Sequence, residues 1–136
     1  MTTVAWDGTA ISADKQADAG GLKYRATKIG RLGDGRLYGF CGEADYCLEM
    51  VEWLNGGPRP EQKDKDDWST MMVIDKGKIL RFERRAVPIV VEEKTHAIGS
   101  GRDFAMAAMA CGKSSREAVL IAHQFDTGTG AEVDTI

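Results

Sequence analysis

Met1-Thr2-Thr3-Val4-Ala5-Trp6-Asp7-Gly8-Thr9-Ala10-Ile11-Ser12-Ala13-Asp14 opens the chain and decides how the rest of it is read. Two runs of β-forming residues, Val4-Ala5-Trp6 and Thr9-Ala10-Ile11-Ser12-Ala13, flank Asp7-Gly8. Asp-Gly between such runs signals a hairpin, because both turn positions need φ > 0. The second run ends on Asp14. A hydroxyl residue stands directly behind the start methionine. With Met1 removed, Thr2 would carry a hydroxyl and a free α-amine together. That amine has a reference pKa of about 7.7–8.0, so much of it is neutral and basic near physiological pH. A hydroxyl beside its own base is an activated nucleophile. The same residues also read as an ordinary first strand, so the remaining sequence has to decide.

The 136 residues fit one domain, spanning 1–136. Hydrophobic content of 43% and charged content of 29% are those of a globular protein with one core. A net charge of −3 offers no basic field and argues against nucleic acid as a partner. No apolar run approaches the roughly 20 residues that span a bilayer. No basic-then-apolar leader is present, so a cytoplasmic location is expected, with no membrane partner. The three cysteines, Cys41, Cys47 and Cys111, read as free thiols. They form no Cys-x-x-Cys pair, and His96 and His123 lack metal-ligand spacing, so neither a metal nor a cofactor is expected.

Downstream, Lys15 to Ala26 has the composition of a surface loop around Gly20-Gly21. Thr27–Leu32 and Arg36–Cys41 flank Gly33-Asp34-Gly35 as a second hairpin. Glu43 to Leu54 reads as a helix, with Cys47, Met50, Val51 and Leu54 at helical spacing, stopped by Asn55-Gly56-Gly57-Pro58. Arg59 to Asp67 is a charged loop. A third hairpin turns at Asp75-Lys76-Gly77, and short strands follow at Val87–Val91 and Thr95–Ile98. Gly99-Ser100-Gly101 leads into a helix from Arg102 to Cys111, closed by Gly112. Ser114-Ser115-Arg116-Glu117 fits a capping box and opens a helix to about His123. Ala131 to Ile136 can make a last strand. Hairpins dominate, so the sheets should be antiparallel, with helices to cover them: an α+β pattern.

Several short motifs gain weight only together. Gly99-Ser100-Gly101 lacks the third glycine and the βαβ context of a dinucleotide site. Gly42 precedes a helix start, where its N–H can face a developing oxyanion or simply serve a tight turn. Lys28 sits among Lys23, Arg25 and Arg31, and Asp14 ends a strand.

Taken in order, these residues resemble the proteasome β-subunit family, and within it the HslV-type peptidase. The resemblance runs from Thr2-Thr3 through Ser12-Ala13-Asp14 and Thr27-Lys28-Ile29 to Gly39-Phe40-Cys41-Gly42-Glu43-Ala44-Asp45. It continues through Ala97-Ile98-Gly99-Ser100-Gly101 to Asp126-Thr127-Gly128-Thr129-Gly130. It implies an N-terminal-nucleophile hydrolase, whose fold is a four-layer αββα sandwich of two antiparallel sheets. It implies a threonine endopeptidase in which Thr2 attacks, Lys28 favours the alkoxide and Asp14 holds Lys28 charged. Gly42 would supply the oxyanion N–H, while Ser100, Asp126 and Thr129 would surround the amine and the attacking water. Ala17, Ala26, Gly30, Phe40 and Ala44 would line a pocket for an apolar substrate side chain. The implied partners are a peptide or unfolded protein as substrate, further copies of the chain in a self-compartmentalised ring, and an ATPase unfoldase. A non-peptidase amidase of the same fold and an inactive, ring-forming structural relative are alternatives. The chain departs from the family pattern after the first helix: Asn55 to Asp67 is too short and too rich in Gly and Pro for the usual second helix. That reads as a shortened member, and leaves the docking of an ATPase open.

Overall fold

A computed structural model of the chain describes residues 2–136; Met1, whose removal the nucleophile reading requires, lies outside them. Two larger antiparallel sheets form its centre. One contains β1 (Thr3–Trp6), β2 (Ile11–Asp14), β10 (His96–Gly99) and β11 (Val133–Thr135), in the order β10-β1-β2-β11. The other contains β5 (Ile29–Arg31), β6 (Leu37–Gly42), β7 (Ser69–Asp75), β8 (Lys78–Phe82) and β9 (Ile89–Val91), in sequence order. Helix α1 (Ala44–Leu54) covers the outer face of the second sheet, against β6 and β7. Helices α2 (Arg102–Ala110) and α3 (Ser115–Phe125) cover the outer face of the first. The result is an αββα sandwich.

Strand periodicity explains the layering. Successive side chains point to opposite faces, so a strand buried on both sides feeds two cores. On β1, Val4 and Trp6 enter the core between the sheets, while Ala5 faces the helices. On β7, Met72 and Ile74 face the other sheet, while Met71 and Val73 pack with Tyr46, Cys47 and Met50 of α1. Near α2 and α3 the core combines small residues, Ala5, Ala97, Ala105, Ala108 and Ala118, with Met109, Val119 and Val133. Ser114 and Glu117 form the expected capping box at the start of α3. That helix runs on to Phe125, two residues beyond the expected end at His123.

Three sequence expectations change. Lys15 to Ala26 is not a loop: β3 (Gln16–Ala19) and β4 (Leu22–Arg25) pair as a separate hairpin. Its faces lack apolar alternation because most of it is exposed, so the usual strand signal is missing. The turn does carry its signal, since Gly20 and Gly21 take φ of 55° and 83°. The first hairpin turns by a different device from the one expected. Asp7 does not take a positive φ; among described non-glycine residues only Lys76 does. Asp7 Oδ1 instead accepts the N–H groups of Thr9 and Ala10, both at 2.8 Å, and Asp7 N donates to Ala10 O at 3.2 Å. Asp7 Oδ2 accepts the N–H of Ser115 at 2.7 Å, which ties this turn to the start of α3. Finally, β9 starts at Ile89, after Pro88, and forms a sheet edge.

No helix separates α1 from β7 among the described residues. The segment after α1 folds back instead. The Arg59 guanidinium lies 5.6 Å from the centroid of Trp53, and Trp53 meets Phe82 edge-on at 5.7 Å. Arg59 also donates to Arg84 O at 2.6 Å, and Pro60 is buried. None of the described helices is long and apolar enough to cross a membrane.

Two stability predictions follow from these contacts. A Cβ on Gly39 would lie 2.5 Å from Val4 Cγ1, 3.1 Å from Ile11 Cδ1 and 3.2 Å from Ile29 Cγ2, in the core between the sheets. Gly39→Ala is expected to cost about 1–3 kcal/mol by overpacking. Urea unfolding should show it as a lower midpoint at unchanged slope. Burial would raise the Asp7 carboxyl, but the N–H groups of Ser115, Ala10 and Thr9 outweigh it and hold it below its ordinary 3.8. A carboxylate lowered in the fold stabilises above its unfolded pKa, and that contribution fades as pH falls through the folded one. Asp7→Asn should therefore destabilise at pH near 7, and the gap from the parent should narrow below pH 3.8.

Candidate active site

Asp14 closes β2 and is fully buried. Its carboxylate accepts from four donors. Oδ1 takes Thr3 N at 2.9 Å and Lys28 Nζ at 3.0 Å, and Oδ2 takes Gln16 N at 3.1 Å and Gly130 N at 2.9 Å. A buried charge is tolerated when it is paired and its remaining lone pairs are filled, and both conditions hold here. The β1–β2 register, which pairs Val4 with Ala13, brings Thr3 opposite Asp14. Lys28 precedes β5 and is held to β6 by the Phe40 N–H donating to its carbonyl at 3.1 Å. Burial pushes the Lys28 ammonium below its ordinary value; the charge of Asp14 and its hydrogen bond oppose that shift.

A second polar group adjoins Thr2, which is itself 5% exposed. The backbone nitrogen of Thr2 donates to Ser100 Oγ at 3.2 Å. Ser100 Oγ and Thr129 Oγ1 each donate to Asp126 Oδ2 at 2.6 Å, and Gly128 N donates to Oδ1 at 3.3 Å. Burial would raise the Asp126 carboxyl, but these donors more than compensate and keep it below the usual carboxylate range. Since Thr129 spends its proton on Asp126, Thr3 Oγ1 must donate to Thr129 Oγ1, at 2.6 Å. Thr3 thus bridges the two groups. A continuous chain of hydrogen bonds runs Lys28–Asp14–Thr3–Thr129–Asp126–Ser100–Thr2.

Gly42 has φ of +129°, and a Cβ there would lie 2.5 Å from Trp68 O and 2.9 Å from Ser69 Cα. Only glycine suits both the backbone angle and the space. Register also fixes where its N–H points. Glu43 N bonds Trp68 O at 3.0 Å, so the antiparallel alternation turns the neighbouring Gly42 N–H away from β7. It faces the side where β5 has not yet begun.

A cavity of about 600 Å³ lies on that side, and Thr2, Lys28 and Gly42 all line it. Ala17, Ala26, Phe40 and Ala44 line it too. Gly30 does not: the Tyr38 ring covers it, with the hydroxyl 2.6 Å from where a Cβ would stand. The wall is also more charged than the sequence reading allows, because the β3–β4 hairpin and the start of α1 bring Asp18, Glu43 and Asp45 to it.

The structure therefore gathers Thr2, Asp14, Lys28, Ser100, Asp126 and Thr129 into one network, and places Gly42 on the wall that Thr2 and Lys28 share. Sequence reasoning missed Thr3, Gly101, Gly130 and His123. Gly101 is needed because a Cβ there would collide with the hydroxyls of Thr3 and Thr129. His123 Nδ1 donates to Thr129 O at 2.7 Å and so anchors the turn. Adjacency to Thr2 and to Thr129 was the available signal for Thr3 and Gly130; nothing marked His123.

No family model matches the chain, and no curated protein matches it. Solved structures do. HslV from Trypanosoma brucei superposes with a TM-score of 0.75 at 23% identity, covering 99% of this chain and 97% of that one. BPH from Thiobacillus denitrificans gives 0.75 at 21% identity, with 99% and 95% covered. BPH in complex with epoxomicin gives 0.71 at 20% identity, with 99% and 96% covered. With these likenesses spanning nearly its whole length, the chain carries the fold of HslV, an α+β sandwich of antiparallel sheets covered by helices.

Proposed function

We propose that the chain is a threonine peptidase whose nucleophile is Thr2 once Met1 has been removed. One observation carries the reading: a lysine buried against a buried aspartate shares a cavity wall with Thr2 and with the outward N–H of Gly42. Pairing with Asp14 explains why the cation is buried; its place on the wall shared with Thr2 is where a developing alkoxide would use it.

The chemistry on this reading is as follows. The Thr2 α-amine, held near Ser100 Oγ, takes the proton of the Thr2 hydroxyl, directly or through water. Thr2 Oγ forms a bond to the peptide carbonyl carbon, and the carbonyl oxygen becomes an oxyanion that accepts the Gly42 N–H. A preorganised donor of this kind is worth about 2.7–4 kcal/mol. The amine passes its proton to the leaving nitrogen as the C–N bond breaks, leaving an ester on Thr2. Water, deprotonated by the same amine, bonds to the ester carbon; the bond to Thr2 Oγ breaks, the acid leaves and the amine returns the proton to Thr2 Oγ. Throughout, Lys28 stabilises the oxygen charge while Asp14 keeps Lys28 protonated. Ser100, Thr129 and Asp126 orient the amine. The likeness to HslV supports working as a ring of identical copies on peptides or unfolded proteins, with an ATPase as the further partner proposed.

Intact mass and turnover of small fluorogenic peptides test the reading. The purified chain should lack the mass of Met1, and epoxomicin, the compound held by the similar BPH, should add its own mass at Thr2. Thr2→Ala should abolish the adduct and lower kcat/KM by a factor of at least about 10³, as expected for a lost nucleophile. Full activity in Thr2→Ala, or a mature chain that always keeps Met1, sinks the proposal. A pH–rate profile gives a further check. Activity should rise through the amine pKa, whose reference is about 7.7–8.0. Because burial lowers the Lys28 pKa from 10.5, the charge is lost earlier than in free lysine, and an alkaline fall should appear below pH 10.5. Stability should move the opposite way there, rising as the buried ammonium deprotonates.

A further inference from the structure

A second cavity, of about 450 Å³, opens beside Thr2 at the mouth between the two sheets. Thr70 and Arg81 reach it from the inter-sheet face of β7 and β8, the face that carries Met72 and Ile79. Ser100 and Arg102 meet it from the other sheet and from the start of α2.

The two arginines give it its character. Arg81 is about a quarter exposed; its Nε donates to Glu83 Oε1 at 3.1 Å and its Nη1 to His96 Nε2 at 3.1 Å. A guanidinium has no acceptor, so that imidazole nitrogen is unprotonated. Burial first, and the Arg81 charge second, lower the His96 pKa and keep the ring neutral. Arg102 donates through Nη1 to Gly99 O at 3.0 Å, and its Nε lies 3.7 Å from Asp103. Neither arginine spends its Nη2 on a hydrogen bond among the described residues. Both lean on β10, at positions three residues apart, which is about 10 Å along a strand. The α2 N-terminus adds its own positive end. Glu43 is the only acid on this wall, whereas Glu83 and Asp103 pair with the arginines from outside it. Across Thr2, the first cavity bears Asp18, Glu43 and Asp45, with its lone cation Lys28 already paired to Asp14. The charged side chains on the two walls therefore differ: Arg81 and Arg102 with Glu43 on one side of Thr2, and Lys28 with Asp18, Glu43 and Asp45 on the other.

We infer that the arginine cavity receives the leaving-group side of the substrate and selects a carboxylate there, through Arg81 and Arg102. The inference rests on the peptidase reading and takes the first cavity, where Ala17, Ala26, Phe40 and Ala44 stand, as the acyl side. An acidic residue directly after the cleaved bond enters a wall that carries Arg81 and Arg102, and the same residue on the acyl side meets Asp18 and Asp45 there in their place. Charge-assisted bonds of this kind are short and stronger than neutral ones.

Quenched peptides that differ only in the residue after the cleaved bond, Glu, Gln or Lys, test this, alongside a short peptide ending there as a free acid or an amide. The Glu peptide should exceed the Lys peptide in kcat/KM by about tenfold or more, and the ratio should shrink as salt rises. If the free acid alone is preferred over its amide, the carboxylate recognised is the chain terminus rather than a side chain. Arg81→Gln and Arg102→Gln should each reduce the preference; Arg102 is exposed, so its variant carries the test should the Arg81 variant fail to fold. Calorimetric titration of the Thr2→Ala protein with Glu-Ala-Ala-amide and Lys-Ala-Ala-amide needs no turnover, and the Glu peptide should bind the tighter. Equal cleavage of all peptides, or equal binding, overturns the carboxylate site while leaving the peptidase reading intact. Absence of cleavage and of the epoxomicin adduct overturns the peptidase reading; the binding comparison then still decides whether the cavity holds a carboxylate.

Discussion

The Asp14 carboxylate is the constraint on which the rest of the site depends. Its four donors come from β1, the entry to β3, the residue before β5 and the turn before β11. A buried carboxylate with an unfilled lone pair is costly, so each of those segments is held where its N–H is needed. That is why a short strand, an exposed hairpin and a glycine turn converge on one point. Lys28 keeps its charge in a buried place only because this anion is beside it. Removing either member would leave the other stranded, a loss of about 3–5 kcal/mol.

Packing serves the same end from both sides. The core around Ala5, Ala97, Ala105 and Ala118 holds α2 and α3 against the first sheet, so Ser100 and Asp126 arrive at the rim of β1. Gly39 leaves room for Val4 and Ile11 of the facing sheet, and Thr2 and Gly42 both line the cavity that opens beside them. The other outer face is finished with fewer residues. One helix, a cation over Trp53 and a buried proline cover what a second helix would otherwise cover. Cys41 stands in the inter-sheet core beside the cavities, and burial holds its thiol above the ordinary value, so it acts as an apolar wall.

Much of this was legible in the sequence. The three hairpins, α1 with its apolar spacing and the Ser114–Glu117 box could be read because local chemistry decides them. The candidate residues came from short motifs that resemble the family in their order along the chain, and not because any one of them is distinctive. What was missed has a common cause. The β3–β4 hairpin buries almost nothing, so it has no periodic signature. Asp7 forms its turn through its side chain rather than through a positive φ. Gly101 and His123 matter only through partners far away in sequence, Thr3 for the one and Thr129 for the other. Gly30 was placed on a cavity wall because no local rule says that the Tyr38 ring lies over it.

The central position of β1 has a consequence in time. Its neighbours are β2, made at once, and β10, made some ninety residues later, while Ser100, Asp126, Thr129 and Gly130 come later still. A polypeptide emerging from the ribosome therefore exposes its amino end long before the groups that would orient it exist. On the proposed chemistry, such a half-made molecule has a hydroxyl and an amine but no means of aligning them until the segments that carry Ser100, Asp126 and Thr129 have been made.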